Sequence, residues 1–487
     1  MKQRKMAYDI NEMPPVKQSI ILAFQHLFAM FGATILVPIL VNTAAGKEVL
    51  TIPVALVTSG IGTLIYILCT KGKSPVYLGS SFAFIIPIAA AYTKAGLNGA
   101  MTGIMAVGLI YVIVAIIIRF VGKDWLDKLL PPVVIGPMIM IIGLGLAPSA
   151  ISQIGLASGS TLDWKVLVVA LVSFLVTALV MTRAKGFLKI IPFLIGIITG
   201  YIVAVCLGMI EFKPVAEASW FSLPKFKVMF LDYGLDFTAL ITIAPIALVT
   251  LCEHIGDHTS LSNIIGRNLL KEPGLDRTLL GDGLATFVAG FLGGPANTTY
   301  GENTSVVGMT RVASVKVIGL AAIFAIILGF LGKFTSVVST IPNAVLGGVS
   351  LLLYGFIAVN GLKVLIKNQV NFEDPKNIIV ASSMFVLGLG GAAVSIVSGD
   401  LSLSISGMSL AAIVGIILNG ILKGEKEDEL VIEKVKTNYP QSDKEINRIK
   451  KEIKSELTIE LKEDIISEIR KEMNKTQSKK MKKKWKK

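Results

Sequence analysis

Apolar stretches recur along this chain at a length that leaves few folds open. They run near residues 18–41, 51–70, 98–118, 129–149, 164–182, 187–210, 236–257, 278–293, 314–331, 341–362, 376–396 and 403–422, each bounded by Gly, Pro or charge. A helix needs about 20 apolar residues to cross a hydrocarbon layer about 30 Å thick. Twelve such runs in 487 residues are more than one soluble core can hide. Composition agrees: 16% of the residues are charged, against about 25% in soluble chains. The expectation is an all-α polytopic membrane protein. Cys69, Cys206 and Cys252 all fall inside apolar runs, so no disulfide framework is indicated.

Two further segments are apolar but broken. In 74–91, Tyr77-Leu78-Gly79-Ser80-Ser81 precedes a short run. In 295–310, Asn297-Thr298-Thr299-Tyr300-Gly301-Glu302-Asn303 precedes a shorter one. Each reads as a short extended stretch feeding a half-helix, and counting both gives fourteen crossings. Basic residues test that count, because cytoplasmic loops are enriched in Lys and Arg. Of the 27 Lys and Arg before Lys423, fourteen crossings with both termini inside put 20 on the cytoplasmic face, including Lys71, Lys189, Arg277 and Lys367. Seven fall outside, among them Lys47, Lys165, Lys225 and Lys333. The net charge of +14 therefore follows membrane topology rather than nucleic-acid binding. Seven crossings per half make the second half an inverted copy of the first, with the broken segments third and tenth. Interrupted segments at matching places in two inverted halves point to a transporter's binding site.

Ionisable side chains inside spans are costly and mark function. Glu253-His254-Ile255-Gly256-Asp257-His258 ends the eighth span, and Tyr300-Gly301-Glu302-Asn303 sits in the second broken segment. Glu253 and Asp257, four residues apart, share one helix face. Two carboxylates in a poorly solvated place resist joint ionisation, so one of them can bind and release a proton. Carboxylates also accept hydrogen bonds from a neutral ligand. The half-helix starts at Ser81-Phe82 and Gly301-Glu302 leave backbone N–H groups free as partial positive ends, and Phe82 offers a ring face. Donors, acceptors and an aromatic wall suit a small planar amide-like molecule. His254 and His258 share a face, but a zincin pattern needs Glu where Ile255 stands. His26 reads as an interior histidine. No P-loop or nucleophile elbow occurs, so neither ATP-driven pumping nor enzyme catalysis is expected, and no cofactor or metal.

These stretches resemble the nucleobase–ascorbate transporter family, its bacterial uracil-transporting branch in particular. The resemblance is carried by Gln25–Pro38 (QHLFAMFGATILVP), Tyr77–Ile85 (YLGSSFAFI), Glu253–Gly256 (EHIG), Asn297–Asn303 (NTTYGEN) with Thr310-Arg311, and Gly347–Gly355 (GGVSLLLYG). It spans roughly residues 15–424. It implies fourteen segments in two inverted repeats, with short antiparallel strands and half-helices in segments 3 and 10. After the cytoplasmic N-terminus (1–17), a core domain would comprise 18–122 and 231–335, and a gate domain 123–230 and 336–424. It further implies substrate contacts at Glu253, Glu302 and Asp257, at the backbone of Phe82 and Gly301, and near Tyr300 and Tyr354. Proton coupling would run through Glu302, Glu253 or Asp257, in a homodimer with elevator-like motion in the cell membrane.

Two positions depart from the family pattern. Ser305 replaces a Gly, and Asp257 stands where many uracil carriers have histidine and purine carriers often have aspartate. Xanthine or another purine is therefore the alternative substrate. An anion exchanger or channel on a related fold is more remote, because Glu253, Asp257 and Glu302 supply negative charge. The tail, 425–487, places Ile446, Ile449, Ile453, Leu457, Leu461 and Ile465 on one face among Lys and Glu. It reads as a charged amphipathic cytoplasmic helix.

Overall fold

The computed structural model describes residues 6–398 and 401–423. The reading of the tail lies outside them. The chain folds into α1 (Val16–Ala45), α2 (Ile52–Cys69), β1 (Leu78–Ser80), α3 (Ile85–Val121), α4 (Pro132–Gly145), α5 (Trp164–Arg183) and α6 (Pro192–Cys206). Then come α7 (Ile246–Ile265), α8 (Leu275–Phe291), β2 (Asn297–Thr299), α9 (Gly301–Thr310), α10 (Val315–Phe330) and α11 (Asn343–Lys367). The last described elements are α12 (Pro375–Leu389), β3 (Ala393–Ser398), β4 (Leu401–Ser406) and α13 (Gly407–Ile421). Among the described residues, six helical stretches are long and apolar enough to cross a membrane; α6, α10, α12 and α13 are apolar but shorter. The stretch around α3 is broken at Ala95–Gly96, where Gly96 takes φ +62°, so the half-helix after β1 and the following span are separate rods.

One expectation is corrected. The runs 376–396 and 403–422 do not remain helical throughout. Their facing ends form an antiparallel hairpin, Ala393 opposite Ser406 and Ser398 opposite Leu401. The sequence carries the reason: Leu401-Ser402-Leu403-Ser404-Ile405-Ser406 alternates apolar and polar residues with period 2, which suits a strand and gives a helix no continuous apolar stripe.

Packing gathers the helices into two groups. In one, α8 lies along α2 and α3, α10 against α1 and α2, and α9 against α1. In the other, α11 packs on α4 and α5, α5 on α6, and α12 on α13 and α4. Small residues allow the close crossings, as in membrane bundles generally. A Cβ on Gly108 would stand 2.6 Å from the Gly283 carbonyl, and one on Gly361 would stand 2.5 Å from the Gly136 carbonyl. Helix α7 touches both groups, meeting α3, β2 and α9 on one side and α4 and α13 on the other.

The N-terminal segment is tied down as well. Ala7 N–H donates to the Arg311 carbonyl (2.8 Å), and Ala313 and Val315 N–H donate to the carbonyls of Tyr8 and Ile10 (2.9 and 3.0 Å). Asp9 pairs with Arg267, and Ile10 is buried. Other loop residues meet in two sets. Lys73 binds Glu272 at 2.7 Å and Arg119 lies 3.7 Å from Asp276. In the second set, Lys165 donates to the Leu207 carbonyl and Lys333 to that of Val215. In the fourteen-crossing reading Lys73 and Arg119 count among the cytoplasmic basic residues, and Lys165 and Lys333 among those outside. Lys73 also holds the Glu272 carboxyl below the usual carboxylate range, through its hydrogen bond and its charge.

Candidate functional site

The two broken segments meet. β1 and β2 pair antiparallel, Leu78 opposite Thr299 and Ser80 opposite Asn297, and Ser81 N–H to the Ala296 carbonyl (2.9 Å) and Tyr300 N–H to the Tyr77 carbonyl (3.2 Å) extend the ladder. A two-stranded sheet inside a membrane needs its outer edges satisfied by protein. Helix α2 covers one edge: Ser59 Oγ donates to the Leu78 carbonyl (2.8 Å), and Thr63 Oγ1 accepts from Leu78 N–H (3.0 Å). Helix α8 covers the other, with Thr286 Oγ1 donating to the Asn297 carbonyl at 3.2 Å. Asn297 Nδ2 returns a bond to the Ala285 carbonyl, also at 3.2 Å.

Each strand then turns into a helix start. After β1 comes a 3-10 turn, Phe82–Phe84, and after β2 comes Gly301; neither start is capped by a side chain. Both therefore present free amides and a positive dipole end. Glycine 79 is required here, because any Cβ on it would enter the Tyr300 ring. The Tyr300 hydroxyl is occupied, donating to the Ser80 carbonyl (2.9 Å) and accepting from Thr34 Oγ1 (3.1 Å). Tyr300 thus clasps α1 to the strand pair, with its ring packed on Gly79.

Facing the strands, α7 presents its two carboxylates. Glu253 Oε2 lies 3.5 Å from Thr298 Oγ1, a long contact. Asp257 Oδ2 accepts a 2.6 Å hydrogen bond from Thr299 Oγ1, and its Oδ1 is 3.7 Å from where a Gly301 Cβ would stand. Asp257 is therefore held against the start of α9, whereas Glu253 keeps most of its acceptor capacity free. Both side chains remain partly accessible. The next residues on α7 point the other way. His254 joins Asp282 of α8 (Nδ1 to Oδ2, 2.8 Å) and Thr278 (Nε2 to Oγ1, 3.0 Å), all fully buried. His258 meets the Tyr66 hydroxyl at 2.6 Å, and that hydroxyl reaches Ser74. The two histidines thus serve interior hydrogen bonding. His26 does likewise, its Nδ1 3.2 Å from Asn303 Nδ2.

On the remaining wall, the Phe82 ring meets Tyr354 of α11 edge-on at 6.2 Å. Ser350 and Tyr354, one turn apart, are both buried without a hydrogen bond of normal geometry, as are the hydroxyls of Ser80 and Ser81. Glu302, in the first turn of α9, is half-buried and borders a cavity of about 470 Å³. The structure brings Glu253, Asp257, Gly301 and Tyr300 together around the strand ends, with Phe82 against Tyr354 nearby. Sequence reasoning missed Thr298 and Thr299 as carboxylate partners, and Asp282. A Thr-Thr pair inside a broken span and an aspartate inside an apolar run were the available signals.

Paired half-helices with uncapped amides, set against carboxylates inside an apolar bundle, define a membrane permease rather than an enzyme. The chain belongs to the Permease family, matched over residues 17–397, the family of nucleobase–ascorbate transporters. It is 46% identical over 435 residues to the uracil permease of Bacillus subtilis (strain 168), covering 88% of this chain and 98% of that one. To the uracil permease of Bacillus caldolyticus it is 47% identical over 425 residues, 87% of this chain and 96% of the relative. Among solved structures it is similar in fold to murine Solute Carrier 26 family member A9, an anion transporter, in the inward-facing state. There the TM-score is 0.60 and the identity 13%, over 88% of this chain and 70% of that one.

Proposed function

We propose that this protein is a proton-coupled secondary transporter that imports uracil across the cell membrane, with both termini cytoplasmic. The observation that supports the reading is that α7 faces the β1–β2 pair beside the uncapped starts at Phe82 and Gly301, with Glu253 near Thr298 and Asp257 on Thr299. A pyrimidine dione offers N–H groups to the carboxylate and carbonyl oxygens to the amides, and the Tyr300, Phe82 and Tyr354 rings bound a flat ligand. The high identity to two uracil permeases supports this substrate. Glu253 is the primary acceptor, Glu302 the proton carrier, and Asp257 the residue that fixes Gly301 through Thr299. The two helix groups correspond to a core (18–122 and 231–335) and a gate (123–230 and 336–424). Fourteen crossings in inverted halves, a homodimer and an elevator-like displacement of core against gate complete the proposal.

A purine is the second reading, and Asp257 is the residue that favours it. Its bond to Thr299 argues against it, because an acceptor already engaged is less available to a larger ring. Competition of unlabelled bases against labelled uracil, in liposomes carrying the purified protein, separates the two. Uracil is expected to displace the label, while xanthine, guanine and hypoxanthine at ten times its concentration leave uptake nearly unchanged. Displacement by xanthine at uracil's own concentration would replace uracil with a purine as the cargo.

A further inference from the structure

Glu302 borders a cavity whose walls come from both helix groups. On one side lie Phe28 of α1 and Glu302 and Ser305 of α9; on the other lie Met181 of α5 and Lys189 and Phe193 at the turn into α6. The lining includes one carboxylate, Glu302, and one cation, Lys189. Ser305 is exposed to the space, its hydroxyl turned back on the Gly301 carbonyl at 3.0 Å, so it leaves the cavity open rather than plugging it. Among the described residues that line the cavity, the others are uncharged. Among the elements packed against α9, helix α7 carries Glu253 and Asp257, and α1 carries His26, which is engaged with Asn303.

We propose that Lys189 is a positioning residue for proton release, acting across this cavity on the Glu302 carboxyl. The inference rests on the proton-coupled reading above. In the release step the Glu302 O–H bond breaks, its electron pair stays on the carboxylate, and the proton passes to cavity water as hydronium. Lys189 keeps its own proton throughout and stabilises the carboxylate left behind. Because Lys189 sits on the α5–α6 connection and Glu302 on α9, displacement of one helix group against the other separates them. The cation therefore acts in the arrangement seen here and is withdrawn in the opposite one. That makes proton loss favourable on the side where Lys189 lies, assigned above to the cytoplasm.

The test is Lys189→Gln, with Lys189→Arg as its charge-conserving partner, each purified and reconstituted. Net uracil uptake driven by a pH gradient needs proton release in every cycle, whereas uracil–uracil exchange does not. Net uptake by Lys189→Gln is expected to fall about three- to ten-fold, the effect of removing one unit charge from a partly hydrated space shared with the carboxyl. Exchange should stay near wild type, Lys189→Arg should restore net uptake, and a more alkaline interior should rescue Lys189→Gln by drawing the proton off. Equal loss of exchange and net uptake without pH rescue would mean that Lys189 only shapes the fold. Full net uptake by Lys189→Gln would overturn the proposal while leaving proton coupling intact. Absence of gradient-driven uptake in the wild type would instead remove the coupled reading itself.

Discussion

Glu253→Ala is expected to abolish detectable uracil binding while the purified protein stays folded. Glu253 makes one long contact, 3.5 Å to Thr298, so the fold loses little when it goes. In the proposed binding mode the ligand loses its carboxyl acceptor. Hydrogen bonds to charged groups contribute about 1.5–3 kcal/mol each, and stranding the ligand's donors adds a desolvation cost. Two such bonds amount to a loss of about 100-fold or more in affinity. Calorimetric titration of labelled or unlabelled uracil into the detergent-purified variant measures this directly. Affinity within about three-fold of wild type would remove Glu253 from the site. Asp257→Asn serves as the contrast: it keeps an oxygen to accept from Thr299, and a much smaller loss is expected.

Glu302→Gln should separate binding from energy coupling. The amide is close to isosteric and still accepts a hydrogen bond, so uracil should bind and exchange across the membrane. It cannot carry a proton, so accumulation against a gradient should fall to the level of empty liposomes. The pH dependence gives the sign. Loading requires the protonated carboxyl, so wild-type uptake rises as external pH falls through the titration of Glu302, while the variant's exchange stays flat across the same range. Retained pH-driven accumulation in Glu302→Gln would move the proton to Glu253 or Asp257.

Much of this site could be read from the chain before any coordinates. Run length alone located the helices, and the breaks at Tyr77–Ser81 and Asn297–Asn303 marked β1 and β2, because a span that stops being apolar must turn or end. The EHIG and NTTYGEN stretches pointed to α7 and the start of α9. What escaped depends on partners distant in sequence. Thr299 is four residues from Asn303 in the chain, yet its hydroxyl belongs to Asp257, 42 residues earlier. Asp282 lies inside an apolar run with no partner near it in sequence; only folding places it on His254. The β3–β4 hairpin was hidden because the apolar content of 376–396 and 403–422 masks the period-2 alternation in Leu401–Ser406. The segment 1–17 was expected only as a cytoplasmic N-terminus, whereas Tyr8 bridges to Val312 by backbone hydrogen bonds, to which side-chain patterns are blind. Lys189 counted only as a topology marker until the cavity showed what it shares with Glu302.

Uracil uptake with simultaneous proton entry bears most directly on the whole account. Purified protein is reconstituted into liposomes with an alkaline interior and a pH-sensitive dye trapped inside, and labelled uracil is added outside. Uracil should accumulate above its external concentration while the interior acidifies in step, and a protonophore should collapse both signals. Uracil that merely equilibrates, with no acidification beyond that of empty liposomes, would contradict proton-coupled transport through Glu302.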